Sequence, residues 1–467
     1  MTNPSKDQSL VRGLGLMQAT AINMIDMVGI GPFVTIPFII GAMNGPQCIL
    51  AWILGAFLAL MDGFVWSELG AALPMAGGSY QFLRKIYGEK KWGSLMSFLY
   101  IWQTVIQAPL VIASGAIGFS MYLQYVIPLS GIEQKLVSGA VIIFIFVLLN
   151  RNIVSIGKLS VFLWVGVIVT IGWLIVGGLT HFDTSLAFSY PENAFDFSSI
   201  FFLGLGNASI KTVYSYLGYY NVCHLGGEIK NPERNIPRSI FISIAGIALL
   251  YLLMQLCILG VIPWQQAKDS EFIVSTFFEA IYGKTAATIA TIMILWIALS
   301  SLFAVMLGYS RVPYAAAVDG NFFNIFARVH PVKKIPHVSL MILAATAFVF
   351  SLLFKLKEVI TAIIVMRILI QFVGQSVGVI YLRYKKDGFF LPYKMWLYPL
   401  PAVFGIIIWL FIFFSSGWEY ILGALSIILA GVFVFLIRAK TLRQWPFQSS
   451  DAFPEASVIS DKNKETE

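Results

Sequence analysis

The residues with the most chemical content in this 467-residue chain are those that interrupt its apolar stretches. Gly29-Ile30-Gly31-Pro32-Phe33 lies inside a long apolar segment that runs from near Gly13 to near Ala42. A broken helix leaves backbone N–H and C=O groups without partners, and a bilayer supplies no water to satisfy them. Such a break therefore survives only where it lines a cavity or meets a polar ligand. A second interruption, Tyr214-Ser215-Tyr216-Leu217-Gly218-Tyr219-Tyr220, has Gly204 and Gly206 ahead of it and Gly226-Gly227 behind. Ionisable groups flank both breaks: Asp26 stands just before the first, and Lys211 less than one turn before Tyr214. Ionisable residues inside membrane spans are costly and by default mark function. Asp26 and Lys211 are therefore read as partners across a site, carriers of a coupling proton, or contacts for a charged substrate side chain. Asp62 and Arg367, the latter with Gln371 one turn on, also sit inside apolar segments. A buried structural pair or a contact in a hydrated cytoplasmic vestibule is the alternative reading for these two, and the preferred one for Asp62.

The elements that carry these residues follow from composition. With 58% hydrophobic and 12% charged residues and a mean hydropathy of +0.82, the chain cannot present a water-compatible surface and is read as a polytopic membrane protein. At ~20 apolar residues per transmembrane helix, the sequence offers roughly twelve spans, in approximate bounds 13–42, 46–72, 93–126, 135–150, 157–179, 198–226, 238–262, 285–313, 338–354, 357–384, 397–415 and 418–438. The first is too long, and lacks the small-residue cleavage site, for a secretory signal. Arg84, Lys85, Lys90 and Lys91, then Lys230, Arg234 and Arg238, then Arg311, Arg328, Lys333 and Lys334 all fall on one face. The other face keeps only Lys135, Lys268, Lys284, Lys355 and Lys357. That asymmetry places both termini in the cytoplasm, with the chain in the cytoplasmic membrane. The net charge of +8 is then a topology signal, and no nucleic-acid module accompanies it. Cys48, Cys223 and Cys257 lie in or beside spans without metal-ligand spacing and read as small buried side chains.

Spans one and six are thus both broken, five helices apart. Matched discontinuous helices in two five-helix halves point to an inverted-repeat transporter whose site lies at the bilayer midplane, although Gly and Pro also permit tight helix packing. The expected architecture is an all-α membrane protein with a LeuT-like 5+5 core at residues 13–384. Its repeats are about 13–179 and 198–384, followed by helices eleven and twelve at 385–440, with cytoplasmic tails at 1–12 and 441–467.

Motifs outside the breaks carry a family resemblance. Glu68-Leu69-Gly70-Ala71-Ala72-Leu73-Pro74, Gly77-Gly78-Ser79-Tyr80, Arg84 and Tyr87-Gly88 follow the second span. Gly227-Glu228-Ile229-Lys230-Asn231-Pro232-Glu233-Arg234-Asn235-Ile236-Pro237-Arg238 follows the sixth, and Ser310-Arg311, Asp319-Gly320 and Pro331 to Pro336 follow the eighth. Together they resemble the signatures of the amino acid, polyamine and organocation (APC) superfamily of permeases, nearest to the bacterial relatives of the L-type amino acid transporters. The resemblance implies that the α-carboxylate of a substrate is held by the N–H groups of Ile30 and Gly31, with Gly29 permitting the turn. It implies that the ammonium meets carbonyls of Met27, Tyr214 and Leu217 beside Gly218, and that the rings of Tyr214 and Tyr216 form or gate the side-chain pocket. A half-helix N-terminus supplies donors and positive dipole for the first, and unwound carbonyls negative dipole for the second.

Two residues depart from the family's G-S-G-I-F pattern: Ile30 removes a hydroxyl, and Pro32 removes an N–H at a position where proline is well tolerated. Several relatives hold a lysine within helix five where sodium-driven members bind an ion. Here Lys158 stands at the start of that span, and its middle reads Val165-Gly166-Val167-Ile168. Ser300-Ser301 places two hydroxyls where the related fold puts sodium ligands, and oxygen donors suit a hard cation. Serines in membrane helices also bond back to the preceding turn. Sodium coupling, proton coupling through Asp26 and exchange all stay open, and no other cofactor is expected.

The expected function is secondary active transport of amino acids or related amines by alternating access, as symport or exchange. A polyamine or amine permease is an alternative within the class, and a nutrient sensor without flux is the rival outside it. A channel would need a continuous polar stripe. An enzyme would need a convergent catalytic set, and His181, His224, His330 and His337 have no nucleophile or metal partner at useful spacing. The loop from about Gln124 to Gln134 lacks the cysteine through which eukaryotic L-type transporters join a glycoprotein. The chain is accordingly expected to stand without a disulfide-linked heavy subunit, as a monomer or homodimer in the bilayer.

Overall fold

The computed structural model describes residues 10–354, 356–385 and 390–447, of which 357–359 by their backbone alone. The two expected tails lie largely outside the described residues, as do Lys355 and the side chain of Lys357. Helices follow in the order α1 (Leu16–Met27), α2 (Gly31–Met43), α3 (Ile49–Ala72), α4 (Ser79–Ile86), α5 (Trp92–Leu123), α6 (Gly131–Leu149), α7 (Ile153–Thr180), α8 (Thr184–Ala187), α9 (Ser199–Tyr216), α10 (Asn221–His224), α11 (Pro232–Leu259), α12 (Trp264–Ala267), α13 (Ile273–Tyr282), α14 (Lys284–Tyr309), α15 (Arg311–Val318), α16 (His337–Leu353), α17 (Leu356–Arg367), α18 (Gly374–Lys385), α19 (Leu400–Ser415) and α20 (Trp418–Thr441). A π-helical stretch, Ile368–Val373, joins α17 to α18.

Among the described residues eight helical segments are long and apolar enough to cross a bilayer, and the α1–α2 pair, bent by 44°, makes a ninth. The three remaining expected spans are occupied by α9, α16 and α19. The last two are apolar but short, and α9 is diluted by Asn207, Ser209, Lys211 and Thr212. Outer helices turn apolar side chains outward, as Phe162, Val165, Val169 and Val176 of α7 and Leu429 and Phe433 of α20 do, which is tolerable only against lipid. Inside, small residues let helices approach closely: Gly63 of α3 faces Ile240 and Ile244 of α11.

The two halves repeat one another in element order. Each opens with a broken span and continues through a long helix (α3, α11). Short helices (α4; α12 and α13) then lead into the central spans α5 and α14.

At one end of the bundle the loop motifs find one another. Glu228, just past α10, forms a bidentate pair with Arg311, its Oε2 and Oε1 each 2.8 Å from Nε and Nη2, with both side chains buried. The Glu228 carbonyl also accepts the N–H groups of Gly13 and Leu14 at 2.9 and 3.0 Å, tying the lead-in of α1 to the same residue. Glu68 at the end of α3 pairs with Arg383 of α18 and accepts the Met395 N–H at 2.6 Å. Arg84 of α4 reaches Asp319 at 2.7 Å. Beside it, a hydrogen bond from Lys85 holds the Glu89 carboxyl below the usual carboxylate range.

Candidate functional site

The site is built from two helix ends that meet. α1 stops at Met27, and Val28 leaves the helix at φ −89°, ψ 75°. α2 restarts at Gly31 with Pro32 in its first turn. Among the described residues the N–H groups of Gly29, Ile30 and Gly31 find no acceptor, while the Val34 N–H already returns to the Ile30 carbonyl at 3.2 Å. These orphan donors at the positive end of α2 are what a helix N-terminus offers an anion. In the second break, α9 ends at Tyr216 and Leu217 turns extended at φ −60°, ψ 143°. Gly218 adopts φ +125°, in the region that favours glycine, and the chain re-enters a helix as Asn221 N–H bonds to the Gly218 carbonyl at 2.9 Å.

The two breaks touch backbone to backbone. A Cβ on Gly218 would stand 2.7 Å from the Met27 nitrogen and 2.8 Å from the Asp26 carbonyl carbon. Tyr251 of α11 bridges them, its hydroxyl 2.7 Å from the Met27 carbonyl and 3.2 Å from that of Ser215. Asp26 accepts a hydrogen bond from Asn221 Nδ2 at 2.7 Å. A second tie runs from the Val222 N–H to Asn23 Oδ1 at 2.9 Å.

A cavity opens at this junction. Asp26, Met27, Gly29, Ile30, Gly31, Tyr214, Leu217, Gly218 and Ser301 all line it, and Val111 and Gly115 of α5, Tyr220, Tyr309 and Arg367 are also in its wall. Tyr214 is braced by a hydroxyl contact with Ser114 at 3.0 Å and faces Gly31, where a Cβ would come within 2.9 Å of its ring.

Four expectations are revised in detail. Gly29 has no left-handed backbone; glycine is needed there because a Cβ would fall 2.6 Å from Ser301 Oγ. Tyr216 is not in the cavity wall; its ring packs on Trp52 and Tyr251, at centroid distances of 5.9 and 5.3 Å. Lys211 does not meet Asp26, because its ammonium rests on the Asn207 carbonyl of its own helix at 3.0 Å. Ser300 bonds back to the Trp296 carbonyl at 2.8 Å, so only Ser301, 3.4 Å from the Asp26 carbonyl, offers a hydroxyl at the break.

Asp62 and Arg367 are not paired with each other. Asp62 Oδ2 takes hydrogen bonds from Trp66 Nε1 at 2.7 Å and from Tyr219 at 2.5 Å, tying α3 to the second break. Arg367 donates through Nε to Gln371 Oε1 at 2.6 Å and is caged by Tyr220, Tyr309 and Phe372, whose centroids lie 5.3, 5.8 and 5.2 Å away. It stands where α17 gives way to the π-helical stretch, a local distortion often found at functional sites. Sequence reasoning missed Asn221, Ser114 and Tyr251. Asn221 directly follows the second break and was within reach, whereas nothing marks a tyrosine in α11 as a bridge.

A bundle of membrane-length apolar helices with paired helix breaks around a cavity is the architecture of a secondary transporter. Residues 14–440 match the family model described as amino acid permease, and the chain belongs to that family. Similar proteins include a serine/threonine exchanger of Bacillus subtilis (strain 168), 24% identical, with 86% of this chain and 90% of that protein aligned. A branched-chain amino acid permease of the same organism is 25% identical over 93% of this chain and 95% of its own length. Mouse solute carrier family 7 member 12 is 25% identical over 87% of this chain and 86% of its own. The protein is therefore a multi-pass membrane transporter of the APC superfamily with a LeuT-like fold, and not an enzyme.

Proposed function

We propose that this permease is a secondary active transporter that moves amino acids through the cytoplasmic membrane by alternating access. In this reading both termini face the cytoplasm, and the repeats 13–179 and 198–384 move against each other around the cavity. The observation that carries it is the free N–H set of Gly29, Ile30 and Gly31 beside the carbonyls and carboxylate at Asp26 and Met27. One side suits an α-carboxylate, the other an α-ammonium. The two named bacterial relatives take hydroxylated and branched-chain substrates respectively, so the side-chain pocket and not the backbone site sets the substrate. Asp26, wedged between the breaks and held by Asn221, is the group placed to link a proton to their movement. The test is counterflow in proteoliposomes with a panel of amino acids and polyamines, under sodium and proton gradients imposed separately. Amino acid exchange supports the reading, polyamine exchange alone redirects it, and binding without exchange replaces it with a sensor.

A further inference from the structure

We propose that Arg367 is a subsite for a second carboxylate, so that the preferred substrate is an amino acid with an anionic side chain. The inference rests on the transporter reading above and names its substrate class. Arg367 is 3% exposed, yet among the described residues no Asp or Glu oxygen lies within 4.0 Å of its guanidinium. The other buried arginine, Arg311, has a bidentate carboxylate, as does the largely buried Arg383. Arg367 has neutral partners alone, the Gln371 amide on Nε and the Tyr220 hydroxyl, and Nη2 is buried without a hydrogen-bond partner. Buried charge is retained where it is paired or where a ligand pairs it. The aromatic rings around it offset part of the desolvation through their faces, and they leave Nη2 of the in-plane fork unpaired.

That fork is what recognises a carboxylate by two parallel hydrogen bonds. Arg367 lines the same cavity as the orphan N–H groups and Asp26. Asp26 is already engaged by Asn221 and makes no ion pair with it. With the α-carboxylate on the α2 donors and the ammonium at the carbonyls and Asp26, the remaining wall of the cavity is where a side chain ends. Gln371 on Nε fixes the plane of the fork, and the π-helical turn that follows Arg367 sets where the arginine leaves its helix.

Counterflow in proteoliposomes of the full chain decides it, comparing L-aspartate and L-glutamate with the isosteric L-asparagine and L-glutamine, and with L-serine. The wild-type protein is expected to favour the acids over their amides by at least about tenfold. R367Q is expected to lower the acid-to-amide ratio by at least as much, and R367K to keep part of it. A wild-type protein that moves amides as well as acids overturns the proposal. Equal loss of acids and amides in R367Q also overturns it, assigning the arginine to the α-carboxylate or to structure. Failure of every amino acid to exchange in the wild type is a different result, because it removes the transporter reading on which the proposal stands. If R367Q does not fold, the wild-type ratio and R367K still decide.

Discussion

Two regions of this molecule handle buried charge in opposite ways. At the end of the bundle where the loop motifs gather, Glu228 meets Arg311, Glu68 meets Arg383 and Arg84 meets Asp319. Elsewhere in the same bundle, Asp26 and Arg367 line one cavity without forming an ion pair, and their side-chain hydrogen-bond partners are neutral. Within the low dielectric of a membrane protein, the first arrangement is self-contained and the second is open. The contrast separates residues that hold the architecture from those that await something that arrives and leaves. All of these residues stand out in the sequence as charges in or beside apolar spans, and only the pairing distinguishes them.

The strongest way to break the comparison is Glu228→Gln. Removing one partner of a buried ion pair leaves Arg311 uncompensated and is expected to cost about 3–5 kcal/mol of stability, read as a large drop in the melting temperature of the detergent-solubilised protein. The double variant E228M/R311M should recover most of it. A single variant as stable as wild type would show that this end is not held by its pairs. Gly31→Leu comes next. The new side chain collides with Tyr214 and covers the α2 donors, and amino acid counterflow should fall at least ~100-fold, about 2.7 kcal/mol, with the melting temperature near native. Normal uptake would remove the proposed site.

Asp26→Asn sharpens the comparison from the open side. If Asp26 carries the coupling proton, acceleration of uptake by an inward proton gradient should disappear, a loss of roughly tenfold in the gradient-driven component. Exchange at equal pH should persist, and an unaltered pH profile would assign Asp26 to structure. Arg84→Met should have the smallest effect. That pair is partly solvated, at 16% and 25% exposure, and its removal is expected to change stability by no more than about 1 kcal/mol in a thermal melt.

Both helix breaks were legible because glycine, proline and clustered tyrosines recur inside apolar runs at matching positions of the two halves, a match that helix packing does not require. The direction of individual side chains was not. Tyr214 and Tyr216 read alike in sequence, but residues two apart on a helix differ by about 200°, so one lines the cavity and the other packs on Trp52. Lys211 seemed placed to cross the site, yet a long side chain can turn back to a carbonyl one turn away, and it does so at Asn207. The family motifs containing Glu228 and Arg311 were each visible, but the contact between them spans 83 residues of chain and follows from the fold alone. The span count was least distorted where helices are apolar throughout, and most where α9 gathers the polar residues that flank the second break.

Glu228 joins three segments that are far apart in the chain: its carbonyl holds the lead-in to α1, its own position ends the short turn that follows α10, and its carboxylate holds the α14–α15 corner through Arg311. In mechanical terms it is a common pivot, and segments that share a pivot do not have independent degrees of freedom. The first and second broken spans therefore swing together at this end of the molecule or not at all.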